Sequence, residues 1–358
     1  RDNKSVSKKS SYVMTFFIVF HFLCRKKIGE KMRIHYCLFL VAVFLCCACN
    51  GSSKSTQTKQ KTEIVIKSVP SFNPDSAYVY VEQQVLFGAR VPLSEAHAKC
   101  ATYLQKTMQR FADTVIVQEG LVELYDGSVV TAKNIISSYC PWSKNRILLC
   151  AHWDSRPFSD NEDSNVFTPV LGANDGASGV GVLMEIARCL AQDSLQIGID
   201  IIFFDVEDYG VPDFYRGRKK DHTWCLGSQY WAKNPHVMGY SAKYGILLDM
   251  VGAHRAVFPK DEVSLYFAPH VVEKVWSTAK KLGDDSYFVD QKGASITDDH
   301  LYVNMLANIP CIDVIHYDVS ENSFFSAWHT SKDDMSNISK ETLKVVGQTL
   351  LEVIYNEK

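Results

Sequence analysis

Acidic residues and histidines in several separate segments have the types and spacing that metal binding and proton transfer require. The segment 199–210, IDIIFFDVEDYG, is an apolar run followed by Asp205, Glu207 and Asp208. Neighbouring carboxylates oppose each other's ionisation unless a cation or a proton-transfer task stabilises them. Zinc binds imidazole nitrogen and carboxylate oxygen, and a catalytic zinc keeps one coordination position open. The candidate zinc ligands are His152, Asp175, Asp208, Asp249 and His329.

Glu207 and Asp208 can divide two tasks between them. Neighbouring side chains that leave a strand point in different directions, so one carboxylate can bind the metal while the other faces the substrate. A proton shuttle needs a pKa raised towards the working pH, and burial raises it. A metal ligand must stay ionised, and the cation ensures this. We therefore expect the two acids to differ in pKa.

Motifs of several other function classes are absent from the sequence. The glycine-rich stretch GASGVG (176–181) matches neither the dinucleotide-binding pattern nor a P-loop, and the sequence contains no G-x-S-x-G and no H-E-x-x-H. The net charge is −2, with no basic stripe or acidic block. Nucleic acid is therefore not an expected partner.

Alternating strand-like and helix-like stretches must position the candidate residues. Strands are predicted at 114–120, 128–139, 145–154, 199–204, 244–252, 263–269 and 309–318, and helices at 93–113, 180–193, 270–283 and 339–356. This pattern is typical of one α/β domain with a central, mixed, mostly parallel sheet and helices on both faces. Ligands bind beyond the carboxyl ends of parallel strands, where His152, Glu207 and Asp249 are expected to meet.

Several motifs resemble, in the same order, those of the zinc-dependent M28-type aminopeptidase superfamily. They are AHWDSRP, GANDGASGV, FFDVEDYG, LLDM, TDDH and WHTSKDD, within roughly residues 75–358. The closer similarity is to the glutaminyl cyclase branch, in its bacterial lipoprotein form. This resemblance implies a zinc aminopeptidase-like fold and one Zn²⁺ per chain, with ligands Asp175, Asp208 and His329. Animal cyclases carry Glu where this chain has Asp208, which leaves the exact ligand geometry open.

The resemblance also implies roles for other residues. Glu207 matches the general acid/base, and Asp249 and Asp298 match acids of a hydrogen-bond network beside it. Trp328, Phe324 and Ile296 match walls of the substrate pocket. The implied acyltransferase reaction converts N-terminal glutaminyl residues of peptides and proteins to pyroglutamate and releases ammonia. Zinc would polarise the γ-carbonyl while Glu207 moves a proton from the α-amine to the leaving group.

Two alternative functions stay open at the level of the sequence. A two-zinc M28-type aminopeptidase would place a second metal on His152 and Asp249, with Asp175 bridging the two ions. His152 and Asp154 are accordingly candidates for a second metal or for residues that support the ligands. A non-catalytic binding lipoprotein on the same scaffold is the other alternative, and the complete set of candidate residues argues against it.

The N-terminal region predicts export and lipid anchoring. Met32 is a better start than Arg1, because a basic segment and a short apolar run (36–48) then precede Cys49, as in a lipoprotein signal peptide. Residues 1–49 would form the upstream segment and signal, 50–75 a polar tether, and 76–358 the catalytic domain. We expect a monomer, held on the periplasmic side of a bacterial membrane. Six later cysteines allow fifteen disulfide connectivities, and the sequence selects none.

Overall fold

The computed structural model describes residues 68–193 and 197–357, which belong to one compact unit. Cys49, the signal segment and most of the expected tether lie outside the described residues. The helices are α1 (Pro74–Leu86), α2 (Glu95–Met108), α3 (Ala177–Leu190), α4 (Leu226–Lys233), α5 (Glu262–Phe267), α6 (Pro269–Leu282), α7 (Asp299–Ala307) and α8 (Lys340–Tyr355). The strands are β1 (Thr114–Glu123), β2 (Val129–Tyr139), β3 (Arg146–His152), β4 (Gly198–Phe204), β5 (Gly245–Asp249) and β6 (Cys311–Ile315).

The strands form one 6-stranded sheet in the order β1-β2-β4-β3-β5-β6. The four strands β4, β3, β5 and β6 are parallel, while β2 pairs antiparallel with both β4 and β1. Because parallel neighbours share one orientation, their carboxyl ends lie at the same edge of the sheet. The predicted mixed α/β sheet is confirmed.

Helices cover the two faces of the sheet, and the central strand β3 shows why. Its residues are all buried, as expected of a strand packed on both sides. Ile147 and Leu149 point into the larger hydrophobic core, which contains α1, α3 and α8. Leu148 and Cys150 point into the core on the opposite face, which contains Trp231 of α4 and Val303 of α7. The alternation follows from the two-residue period of a strand.

One predicted strand is wrong, because residues 262–267 form the helix α5. Asp261 caps this helix by accepting a hydrogen bond from the backbone N–H of Ser264. The apolar run 263–269 is short enough to suit either a strand or a buried turn of helix, and the cap decides for the helix. Helices α1, α4 and α7 were not predicted.

The folded domain begins before the expected boundary at residue 76. Helix α1 starts at Pro74, and the side chain of Asn73 caps it by accepting hydrogen bonds from two backbone N–H groups. Phe72 is buried, and its ring packs against Gly347 of α8. Residues 72–75 are therefore part of the domain and not of the tether.

Two further features concern the cysteines and the membrane. No disulfide joins any of the six cysteines within the described ranges, Cys100, Cys140, Cys150, Cys189, Cys225 and Cys311. In the same ranges, no helix has the length and apolar character that crossing a membrane requires.

Candidate active site and metal centre

A cavity of about 340 Å³ opens beyond the carboxyl ends of the parallel strands. Glu207 and Asp208 reach it from the loop after β4, Asp249 from the end of β5, and His329 from the loop after β6. Asp175 enters from the turn that precedes α3. These side chains therefore meet at the edge of the sheet where the sequence predicted a site.

Asp175, Asp208 and His329 form a compact group of potential ligands, which we call the His329 cluster. Their ligand atoms lie within 4.8 Å of one another. Nε2 of His329 is 3.1 Å from Oδ1 of Asp208 and 3.8 Å from Oδ2 of Asp175. Both carboxylate oxygens of Asp208 are buried and lack a hydrogen bond of good geometry from the described residues, although Oδ1 lies 3.1 Å from Nε2 of His329 and 3.9 Å from Nη1 of Arg156. Buried carboxylate oxygens without a full set of hydrogen bonds are costly, so this donor set fits a divalent cation.

A second group, the His152 cluster, consists of His152, Asp175 and Asp249. Nε2 of His152 lies 3.0 Å from Oδ1 of Asp175 and 3.2 Å from Oδ1 of Asp249. The imidazole therefore points inward, which the sequence could not establish. Asp175 presents one oxygen to each cluster, the arrangement that a bridging ligand between two metals would need.

Asp154 supports the site from beneath and joins neither cluster. Its buried carboxylate accepts hydrogen bonds from the backbone N–H groups of Glu207, at 3.1 Å, and Asp208, at 3.2 Å. Its Oδ1 is also 3.6 Å from Nδ1 of His152. Of the two roles that the sequence left open for Asp154, these contacts favour that of a residue supporting the ligands, because its oxygens accept hydrogen bonds from the backbone of the Glu–Asp pair.

The backbone on either side of the β4 loop is held in an uncommon conformation. Val206, immediately before Glu207, has a φ of 54°, and Cys225 has a φ of 57°. Two backbone hydrogen bonds of 2.9 Å join these segments, from Cys225 to Glu207 and from Leu226 to Val206. A left-handed conformation in a β-branched residue costs roughly 1–3 kcal/mol, so the surrounding structure must enforce it.

Glu207 occupies an environment suited to holding a proton. Its side chain is largely buried, with 9% of the residue exposed. Burial raises the pKa of Glu207 well above its ordinary value, the nearby carboxylates of Asp298 and Asp208 add to the rise, and His152 opposes it. Burial also raises the pKa of Asp208, next to Asp175. The expected difference in pKa between Glu207 and Asp208 therefore depends on a cation that keeps Asp208 ionised.

The remaining predicted site residues also lie at the cavity. Asp298 lines it, as do Ile296, Phe324 and Trp328. The indole ring of Trp328 stacks on the imidazole of His329, with centroids 3.8 Å apart, and Phe324 packs against Trp328 at 4.5 Å. An aromatic wall therefore stands beside the His329 cluster.

Residues 134–354 match the family model of Peptidase family M28. The chain belongs to peptidase family M28. A glutaminyl-peptide cyclotransferase from Bothrops jararaca is 28% identical over 62% of this chain and 64% of its own length, so the chain spans less than two thirds of that relative. These matches confirm the resemblance that the motifs predicted.

Solved structures similar to this M28 chain include enzymes of both kinds considered above. The glutaminyl cyclase of Bacteroides thetaiotaomicron, bound to N-acetylhistamine, is 55% identical, with a TM-score of 0.80 over 81% of this chain and 100% of that chain. A leucine aminopeptidase precursor from the same organism is 54% identical, with a TM-score of 0.79 over 81% of this chain and 99% of that chain.

Sequence reasoning missed three residues that shape the M28 site. Trp224 lines the cavity, and its ring stacks parallel to the imidazole of His329, with centroids 6.0 Å apart. Cys225 donates its S–H to Oε1 of Glu207 at 3.1 Å. Asp333 accepts hydrogen bonds from the backbone N–H groups of Asn174 and Asp175 at 2.9 and 3.0 Å. Asp333 belongs to the motif WHTSKDD, so the sequence did contain a signal for it. Trp224 and Cys225 lie just before α4, a helix that was not predicted.

Proposed function

We propose that the protein converts N-terminal glutaminyl residues of peptides and proteins to pyroglutamate, with release of ammonia. The observation that carries the proposal is the position of Glu207, whose carboxyl lies in a cavity of about 340 Å³ beside the His329 cluster. This volume is at the small end for ligand pockets and suits one folded side chain. The similarity to the glutaminyl cyclase of Bacteroides thetaiotaomicron, at 55% identity, supports the same reaction.

The residues of the His329 cluster would hold one Zn²⁺ per chain. Two carboxylates and one imidazole are a donor set that zinc prefers, and three protein ligands leave the fourth position for the substrate. Bound there, Zn²⁺ supplies a Lewis acid for the γ-carbonyl of the glutaminyl side chain. The buried carboxylate of Asp208, which lacks a hydrogen bond of good geometry among the described residues, supports this assignment.

Glu207 would transfer the proton that the reaction has to move. The bond between the α-nitrogen and the γ-carbonyl carbon forms, and the bond from that carbon to the amide nitrogen breaks. Glu207 takes a proton from the attacking amine and delivers it to the departing nitrogen, which leaves as ammonia. Nucleophile and electrophile belong to one residue, so the enzyme mainly has to hold the folded conformation.

The residues around Glu207 would orient the substrate and the proton. Trp328, Phe324 and Ile296 would form apolar walls that hold the glutaminyl side chain in a folded, ring-like conformation and exclude water. Asp249, whose pKa burial raises to about 8, and Asp298 would form the acidic network beside Glu207.

The test compares two products from matched peptides. Purified, zinc-loaded protein is incubated with a peptide that begins with glutamine and with the same peptide beginning with leucine. The proposal predicts ammonia and a pyroglutamyl peptide from the first, and no free amino acid from either. Release of free leucine or glutamine without ammonia would contradict it.

A two-metal aminopeptidase is the second candidate, because the His152 cluster shares Asp175 with the His329 cluster. That enzyme would bind two zinc ions per chain, and His152→Ala would remove one of them together with peptidase activity. The cyclase proposal predicts one zinc per chain in both the unmodified protein and the variant. Metal analysis by mass spectrometry separates the two outcomes.

We further propose that the protein is exported, lipid-anchored through Cys49 to the periplasmic side of a bacterial membrane, and monomeric. The basic residues around Met32 and the apolar run 36–48 support export. Cys49→Ala should move the protein from the membrane fraction to the soluble fraction, and an unchanged membrane fraction would contradict the anchor. Light scattering of the purified catalytic domain tests the monomer.

A further inference from the structure

Glu207, Cys225 and Asp298 form a third group of potential ligands, which shares no residue with the His329 cluster. Their ligand atoms lie within 4.8 Å of one another. Cys225 is fully buried, and Asp298 is 4% exposed. We propose that these three residues form a separate, inhibitory site for a thiophilic divalent cation such as Cd²⁺, or Zn²⁺ in excess. The inhibitory effect rests on the proposed role of Glu207 as general acid/base.

The distances suit a small tetrahedral ion. Sγ of Cys225 is 3.1 Å from Oε1 of Glu207. Zinc binds thiolate sulfur at about 2.3 Å and carboxylate oxygen at about 2.0–2.2 Å, so two such ligands in a tetrahedron lie roughly 3.5 Å apart. The two side chains therefore need to separate by only a few tenths of an ångström to accept Zn²⁺, and by somewhat more to accept the larger Cd²⁺.

A second, independent observation comes from Asp298. One of its oxygens caps α7 by accepting a hydrogen bond from the backbone N–H of Asp299. The other oxygen, Oδ2, is buried and has no hydrogen-bond partner among the described residues. A buried carboxylate oxygen without a partner is costly, and a cation shared with Glu207 would satisfy it.

The backbone holds the thiol and the carboxyl together in advance. Cys225 has a left-handed backbone with a φ of 57°, and its N–H donates to the carbonyl of Glu207 at 2.9 Å. This link fixes the starting points of both side chains. The site therefore requires little rearrangement, which favours binding.

Cation binding would exchange a proton for the metal. Without a cation, the thiol of Cys225 donates its S–H to Oε1 of Glu207. On binding, the S–H bond breaks, its proton leaves to solvent, and a sulfur–metal bond forms. The Glu207 carboxylate then coordinates the ion and can no longer accept a proton from the substrate amine.

The thiol makes the site selective and recognisable. Thiolate ligands favour soft cations, whereas Mg²⁺ and Ca²⁺ prefer oxygen ligands. Among the groups of potential ligands in the described residues, this one contains a cysteine, and the His329 and His152 clusters do not. A sulfur-to-metal charge-transfer absorption is therefore a signature that binding at those two clusters would not produce.

The experiment titrates Cd²⁺ into protein that carries one equivalent of Zn²⁺, with ammonia release and ultraviolet absorption followed together. The variants are Cys225→Ser, Cys225→Val and the control Cys140→Ser, whose cysteine is partly exposed in a different loop. Each rate is expressed relative to the same protein without Cd²⁺. Circular dichroism establishes that each variant is folded.

We expect half-maximal inhibition of the unmodified protein and of Cys140→Ser at the same Cd²⁺ concentration, with a charge-transfer band. In Cys225→Ser and Cys225→Val, the charge-transfer band should disappear, and half-maximal inhibition should require at least tenfold more Cd²⁺. Mg²⁺ should inhibit none of the proteins. Equal inhibition and an unchanged band in both Cys225 variants would overturn the proposal. If the unmodified protein releases no ammonia before Cd²⁺ is added, the proposed function fails, and the band still decides whether the site exists.

Discussion

Replacement of Asp154 by asparagine tests how the buried support beneath the site works. The carboxylate accepts two backbone hydrogen bonds, from Glu207 at 3.1 Å and from Asp208 at 3.2 Å. An asparagine of the same shape keeps one acceptor oxygen and turns its NH₂ group towards the other N–H. One charge-assisted hydrogen bond is lost, and the NH₂ group and the backbone N–H, both donors, then face each other in the protein interior.

The size of the effect follows from these contacts. A hydrogen bond to a charged group contributes about 1.5–3 kcal/mol, and a buried donor left without an acceptor costs about 1–3 kcal/mol. We therefore expect Asp154→Asn to lower the free energy of unfolding by about 2.5–6 kcal/mol. Because the same backbone positions Asp208, zinc affinity should fall by about 10–100-fold, the usual effect of losing a partner that orients a ligand.

Two assays separate stability from metal binding. Urea denaturation in the presence of a chelator reports the metal-free fold, and competition with a coloured zinc chelator reports affinity. The matched control is Asp126→Asn, because Asp126 also accepts a hydrogen bond from a backbone N–H, that of Ser128, but is exposed. This control should change stability by about 0.5 kcal/mol or less. If Asp154→Asn matched the control in both assays, the supporting role of Asp154 would be refuted.

Three further predictions concern pH, packing and the pocket wall. Burial lowers the pKa of His316 to about 4, so its stabilising neutral form is present above pH 6.5 and is lost as the pH falls towards 4. Between pH 7 and 4, the free energy of unfolding of the unmodified protein should therefore fall by up to about 3 kcal/mol more than that of His316→Gln, as measured by urea titration. If the two proteins lost stability in parallel over this pH range, the prediction would be contradicted. A Cβ on Gly179 would lie 2.3 Å from the backbone oxygen of Leu248, so Gly179→Ala should cost about 2–4 kcal/mol in the same assay, and a loss below 1 kcal/mol would argue against the close approach. Trp328→Ala should raise KM for a glutaminyl peptide about tenfold with zinc retained. The control Trp142→Ala, at a site that is 77% exposed, should leave KM unchanged. Equal KM values in the two variants would show that Trp328 does not contact the substrate.

The position of the site could be predicted because it depends on a general property of parallel sheets. Asp249 ends β5, and Glu207 and Asp208 follow β4, so their place at one edge follows once the strands are recognised. Apolar runs of five to seven residues were sufficient to find β3, β4 and β6. The same reasoning failed for α5, because a short apolar run suits a strand or a helix equally, and the helix cap at Asp261 was not recognised in the sequence.

The division of the acids between the two clusters was implied by the resemblance to the M28 family and could not be worked out from the residues alone, because it depends on side-chain directions. His152 ends β3 and could have pointed either towards Asp249 or away from it, and only the three-dimensional structure shows Nε2 at 3.2 Å from that carboxylate. Asp154, two residues later, turns beneath the β4 loop instead of into the cavity. Cys225 was missed because its contact with Glu207 spans 18 residues and depends on two left-handed residues, which sequence patterns do not reveal.

The most direct test of the central claim measures bound zinc and ammonia release on the same sample of Glu207→Gln. The side chain keeps its size and lies outside the His329 cluster, so the account predicts one zinc per chain, as in the unmodified protein. Ammonia release from a glutaminyl peptide should fall by at least about 100-fold, as expected for loss of a general acid/base. Cyclisation that continues within tenfold of the original rate, with zinc in place, would contradict the account.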